Sequence, residues 1–145
     1  MHFFDFARWM LEDNPVSIRA ERVNADHPAY ENDSLTTLLR FAGGSLAVIV
    51  YSGAGSGLLA KERLEIFGGG ASLVLDDFKT LKHYGVPGKD VSVRRVDKGL
   101  GALLRHFITA VQGRETLSVT GQDGRWATYI AEEALRQAGG APKEA

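Results

Sequence analysis

The sequence predicts an α+β domain: an open-faced, predominantly antiparallel β-sheet with helices packed on one of its faces. Three observations carry this. The stretch Lys61–Phe78, KERLEIFGGGASLVLDDF, reads as two strands joined by a tight glycine turn. Its apolar Leu64, Ile66, Leu73 and Leu75 recur every second residue, the period of a half-buried strand pair. Several further runs of the same period precede it, between residues 16 and 59. Helical spacing is confined to the two ends of the chain, at 2–12, 97–112 and 121–138. Strands joined in succession by short turns pair antiparallel, and helices segregated from them give α+β rather than α/β.

The bulk composition sets the remaining bounds. The chain has 145 residues, 44% hydrophobic and 24% charged, with a formal net charge of −1. That is enough chain for one domain with a substantial core. The charge balance gives no electrostatic case for nucleic acid or an anionic membrane surface. Cysteine is absent, which excludes disulfides and thiolate chemistry. The longest apolar run, Leu46–Tyr51, is far too short to span a bilayer, and no signal peptide is evident, so a cytoplasmic location is expected.

In order, residues 2–12 form an amphipathic helix with Phe3, Phe6, Ala7, Met10 and Leu11 on one face and Asp5, Arg8 and Glu12 opposite. Asn14-Pro15 stops it, because a residue before proline is pushed out of the α region. The apolar pattern starts at the first residue with no cap ahead of it, as expected for a fragment of a longer protein. Val16–Val23 follows as a strand, then a polar loop over 24–33, a strand at Ser34–Phe41, a turn at Ala42-Gly43-Gly44, and a strong strand at Ser45–Tyr51. Ser52–Leu59 is a glycine-rich loop leading to the hairpin. Phe78–Tyr84 and Val91–Val96 add edge strands. Asp97 is the expected N-cap of a helix carrying the stripe Leu100, Leu103, Leu104, Phe107, Ile108 and Val111, ended by Gly113. Thr120 and Asp123 have the spacing of a capping box for a last helix, whose buried face is Ala127, Ile130, Ala131, Ala134 and Leu135. Gly139-Gly140 closes it. The domain is expected to cover 1–140, with 141–145 a disordered tail.

The strand Ser45–Tyr51 is apolar on both sides, Ala47, Ile49 and Tyr51 against Leu46, Val48 and Val50. Helices can cover one face only, so the other is expected to meet a second copy of the chain in a homodimer.

Few residues suggest chemistry by themselves. Gly53-Ala54-Gly55-Ser56-Gly57 follows a strand, but the dinucleotide fingerprint needs a glycine where Leu58 stands, and then a helix rather than the strand-like KERLEIF. A loop is the better reading. His2, His27, His83 and His106 show no metal-ligand spacing, and no metal site is expected. Asp76-Asp77 is a carboxylate pair whose members point to opposite sides of a strand, which favours a turn with one carboxylate on backbone N–H groups over catalysis.

HFFDFARWML resembles the H-x-x-D-x-x-R-W-L segment that opens the C-terminal domain of the Gfo/Idh/MocA oxidoreductases, the glucose–fructose oxidoreductase and inositol dehydrogenase family. KERLEIFGGGASLVLDDFKTL is similar to a late hairpin of the same domain. It is nearest to the subgroup in which the module is fused behind an alcohol-dehydrogenase-like region. The intervening strands and the helix DKGLGALLRHFITAV also match, so the resemblance covers nearly the whole chain.

The resemblance implies a dihydrodipicolinate reductase-like C-terminal domain that forms a substrate pocket for a sugar or polyol and a subunit interface. It implies a preceding Rossmann domain that binds NAD or NADP, with no cofactor bound by this chain alone. His2 would match the family's catalytic histidine, acting as acid or base on a substrate hydroxyl, a role suited to a group that titrates near neutrality. A frayed terminal residue is the alternative for His2. The chain departs from the family pattern in lacking the Rossmann domain and its Glu-Lys-Pro lysine, a role Lys61 cannot take. The acidic or amide partner four residues before the histidine would precede Met1. Two functions follow: the substrate-binding and oligomerisation domain of an NAD(P)-dependent sugar or polyol oxidoreductase, inactive alone, or a non-catalytic small-molecule binding or dimeric interaction module of the same fold.

Overall fold

In a computed structural model, residues 1–23 and 34–139 are described. The loop expected over 24–33, with His27, and the tail expected at 141–145 lie outside the described residues. The element order is α1 (His2–Leu11), β1 (Pro15–Arg22), β2 (Ser34–Phe41), β3 (Leu46–Ser52), β4 (Arg63–Gly68), β5 (Ala71–Asp76), β6 (Thr80–Tyr84), β7 (Val91–Ser92), α2 (Leu100–Val111) and α3 (Gly121–Gln137). The α+β class with antiparallel strands is as the periodicity predicts. No helix among the described residues is long and apolar enough to cross a membrane.

The ladders form two sheets, β1-β2-β3 and β4-β5-β6-β7, where one sheet running through residues 16–75 is the sequence expectation. No ladder joins β3 to β4, whose connection is ten residues long and rich in glycine. The chain accordingly divides into two compact units, Met1–Gly55 with Ser118–Ala145, and Ser56–Leu117.

The first unit holds the core. In β2, Thr37, Leu39 and Phe41 are buried while Leu38 and Arg40 face out, the alternation of a half-covered strand. Register sets Ile18, Leu39 and Ala47 in one row and Ala20, Thr37 and Ile49 in the next. Leu39, Phe41, Ile130 and Ala134 close the core, with Phe4 and Ala20 beside them. Arg19, Leu38 and Val48 form a row on the opposite face, where Leu46, Val48 and Val50 are 61%, 63% and 70% exposed. The two-faced apolar strand is therefore covered on its Ala47–Ile49 side and open on its Val48 side.

Helix α1 buries Phe4 and half-buries Ala7 and Leu11. Phe3 and Met10, expected on the inner face, are exposed. The inner face is rotated by somewhat under one residue step, roughly 100° in an α-helix. Aromatics lie on several sides of this helix, so periodicity alone does not single out the face. Leu11 is its last residue; Glu12 takes φ 50 and returns its N–H to the Arg8 carbonyl. Pro15 then opens β1, where a strand tolerates proline. Helix α3 begins as the capping box predicts, with the Thr120 N–H and hydroxyl donating to Asp123 Oδ2 at 2.8 and 2.7 Å. It ends at Gln137 with Ala138 as C-cap, and Gly139, φ 76, turns the chain after it.

In the second unit, Leu64, Leu75 and Leu81 form one row and Ile66, Leu73 and His83 the next. The turn uses Gly69 and Gly70, φ 58 and 79, both in the left-handed region that a two-residue hairpin requires. The strand expected over Val91–Val96 is only Val91–Ser92. Helix α2 starts at Leu100 with Gly99 as N-cap; Asp97, the expected cap, accepts the Gly99 N–H instead. None of its residues is buried, and its apolar stripe, expected against the sheet, is at least half exposed.

Candidate functional site

A cleft of 540 Å³ opens in the first unit along α1 and the start of α3. With Phe4, Ala7 and Leu11 turned into the core, the opposite stripe of α1 carries His2, Asp5, Trp9 and Glu12, and all four line the cleft. Ser118, Val119 and Asp123 line it from the approach to α3. The side chains quoted for the H-x-x-D-x-x-R-W segment are thus gathered at one concavity, within the ~300–1,000 Å³ typical of small-molecule sites.

Arg8 braces this wall. Its side chain is only 10% exposed. Nε donates to Asn14 Oδ1 at 2.8 Å, Nη1 to Asp5 Oδ1 at 3.3 Å, and Nη2 to Asp123 Oδ1 at 3.4 Å. Its guanidinium lies 5.8 Å from the Trp126 ring centroid. One buried cation therefore ties α1, the turn before β1 and the first turn of α3 together. Asp123 is held below the ordinary carboxylate range, chiefly by the Thr120 backbone N–H, then by the Thr120 hydroxyl and Arg8.

His2 is exposed at the first turn of α1, at the cleft. An imidazole there can exchange a proton with a ligand hydroxyl, carboxylates can accept hydroxyl hydrogens, and the indole of Trp9, 70% exposed, offers an apolar plate.

The other singled-out residues do not line the cleft. His83 is half-buried; its backbone N–H donates to Asp90 Oδ1, while its buried ring Nδ1 has no hydrogen-bond partner among the described residues. His106 Nδ1 lies 2.7 Å from Glu115 Oε2. Asp77 and Phe78, φ 50 and 51, make the turn expected of the Asp76-Asp77 pair. The Asp77 carboxyl is held low, first by Lys79 and, more weakly, by the Lys61 backbone N–H. Gly53–Gly57 is followed by strand β4, so no helix N-terminus is there to hold a pyrophosphate and the segment does not fit a dinucleotide. No group of three or more His, Asp or Glu among the described residues is arranged to hold a metal ion.

Sequence reasoning missed the Arg8–Asp123 clamp. Both residues were visible, one inside the H-x-x-D-x-x-R-W segment and one as a capping residue, but nothing local says that positions 115 apart meet.

The chain matches the family model described as the GFO/IDH/MocA C-terminal domain over residues 1–74, and it belongs to that family. It is 24% identical to an inositol 2-dehydrogenase from Rhizobium meliloti (strain 1021) over 94% of this chain and 44% of the relative. A UDP-N-acetylglucosamine 3-dehydrogenase from Acidithiobacillus ferrooxidans superposes with a TM-score of 0.77 at 22% identity, covering 94% of this chain and 44% of that one. An oxidoreductase from Agrobacterium radiobacter, solved with NAD+, L-tartaric acid and magnesium, superposes with a TM-score of 0.73 at 20% identity, covering 95% of this chain and 45% of that one. The chain therefore spans somewhat under half the length of the relatives it matches.

Proposed function

We propose that residues 1–140 are the substrate-binding and oligomerisation domain of an NAD(P)-dependent sugar or polyol oxidoreductase, working in the cytoplasm and inactive without a cofactor domain. The observation that carries this reading is the gathering of His2, Asp5, Arg8 and Trp9 at one cleft in a chain of this family. The dehydrogenase relatives support the reaction class, and the relative solved with NAD+ supports the cofactor. NAD or NADP belongs to a Rossmann domain outside this chain, since the glycine segment here does not fit it. It supplies the hydride acceptor.

This chain's residues do the rest. The cleft holds a polyhydroxylated ligand, Arg8 fixes the wall it rests on, and His2 takes the hydroxyl proton as hydride leaves the carbon. The open Val48 face of the first sheet pairs with a second copy as a homodimer. Three measurements test the reading. A polyol should raise the melting temperature of this chain, because a ligand that binds only the native state stabilises it. NAD and NADP should show no binding in calorimetry. Joined to its cofactor domain, His2→Ala should lower kcat with little change in KM; unchanged kcat removes the acid–base role.

The alternative, a non-catalytic binding or dimeric interaction module, draws support from the 53–57 glycine segment, which leads into strand β4 and does not fit a nucleotide. It predicts the same thermal shift with polyol and no dehydrogenase activity in any fusion.

A further inference from the structure

We infer that the cleft prefers polyhydroxylated ligands that carry no negative charge, and that nucleotide sugars, sugar phosphates and sugar acids bind it more weakly. The inference rests on the reading of the cleft as a substrate site and concerns which substrates enter.

Four carboxylates line the cleft, Asp5, Glu12, Asp13 and Asp123, against one guanidinium, Arg8, and the imidazole of His2. The guanidinium is already committed. It is nine-tenths buried, and its donors go to Asn14, Asp5 and Asp123. A ligand phosphate would have to displace two carboxylates to reach it. The other feature that could attract an anion is the N-terminus of α3, where unpaired backbone N–H groups favour negative charge. Asp123 fills that position itself, accepting the Thr120 N–H and hydroxyl. The guanidinium is thus committed within the protein and this helix end already carries a carboxylate, while Glu12 and Asp13, which form no ion pair among the described residues, add negative charge at the end of α1. Neutral hydroxyls suit such a wall, because carboxylate oxygens accept from them in charge-assisted hydrogen bonds. A protonated amine on the sugar suits it further.

The test is a charge series on one ring, read by the backbone and indole amide shifts of Trp9 in this chain at low ionic strength: glucosamine, glucose and glucose 6-phosphate. The expected order of affinity is glucosamine, then glucose, then glucose 6-phosphate. Opposed unit charges about 8 Å apart in water-like dielectric change affinity roughly two- to three-fold each. The spread should therefore be at least about ten-fold over the series and should shrink as salt is added. Glu12→Gln with Asp13→Asn should weaken glucosamine binding about five-fold and leave glucose binding unchanged. Glucose 6-phosphate binding as tightly as glucose overturns this inference and leaves the substrate-site reading intact. Failure of all three, and of myo-inositol, to move the Trp9 signals overturns the substrate-site reading and this inference with it.

Discussion

Adjacent residues of β3 should respond to the same substitution in opposite ways. Val48 is 63% exposed on the open face, in register with Leu38 and flanked by Leu46 and Val50. Ile49 packs on the core from the other side. Burying a valine completely is worth about 1.5–3 kcal/mol, so covering the exposed part of Val48 is worth about 1–2 kcal/mol per copy. A two-fold contact uses it twice, and Val48→Asp should weaken a homodimer by about 2–4 kcal/mol, roughly 30- to 1,000-fold. Two carboxylates brought together near the axis add to this. Sedimentation equilibrium from sub-micromolar to about 100 micromolar, around the range where a standard interface persists, reads the dissociation constant. Circular dichroism should show Val48→Asp folded. Ile49→Asp places an unpaired charge against the core cluster and should unfold the first unit instead. Unchanged association with a folded Val48→Asp chain, or a clean monomer of 15.7 kDa for the unaltered chain, refutes the open-face dimer.

Three further outcomes are expected. Ile130 is fully buried, and Ile130→Ala should cost about 2–5 kcal/mol in urea denaturation, the range for deleting a core aliphatic side chain. Gly85 has φ 74, and a Cβ there would stand 2.4 Å from the Gly70 carbonyl oxygen, so Gly85→Ala should raise amide exchange across β5 and β6 while leaving β1–β3 protected. Glu133, held at about 2 first by Arg136 and then by Gln137, and Asp123, held low chiefly by Thr120, both have folded pKa values below their unfolded ones. Such groups contribute stability that is present above the unfolded pKa and lost as pH falls through the folded one. The urea midpoint should therefore fall between about pH 5 and pH 2, and Glu133→Gln with Asp123→Asn should flatten that fall.

The elements were legible where one signal had one meaning. The period-2 run with Gly69-Gly70 gave the β4–β5 hairpin, because both turn residues need positive φ. The Thr120–Asp123 spacing gave the start of α3, because a capping box is a local contact. The single sheet was not legible as two. Whether β3 pairs with β4 depends on ladders between residues far apart, which alternation within each strand does not encode. The inner face of α1 was misplaced because Phe3, Phe6, Trp9 and Met10 widen its apolar arc beyond the part that the core takes up.

That misplacement bears on the site. A helix of ten residues that is apolar around much of its circumference has more hydrophobic surface than one core can use. Here the sheet and α3 take Phe4, Ala7 and Leu11, which leaves Phe6 and Trp9 at the cleft, their rings 5.6 Å apart. Burial of one stripe thereby dictates exposure of the other, and the order His2, Asp5, Trp9, each a turn or so from the last, becomes a wall. Helix α2 is the contrasting case. Its stripe of Leu100, Leu103, Leu104, Phe107, Ile108 and Val111 is regular, yet every member is at least half exposed. Amphipathic spacing fixes which residues share a face; what meets that face is decided by the neighbours. In α1 the helix's own Arg8 finds partners at Asn14 and at Asp123 of α3, and this turns a helix face into one wall of a cleft.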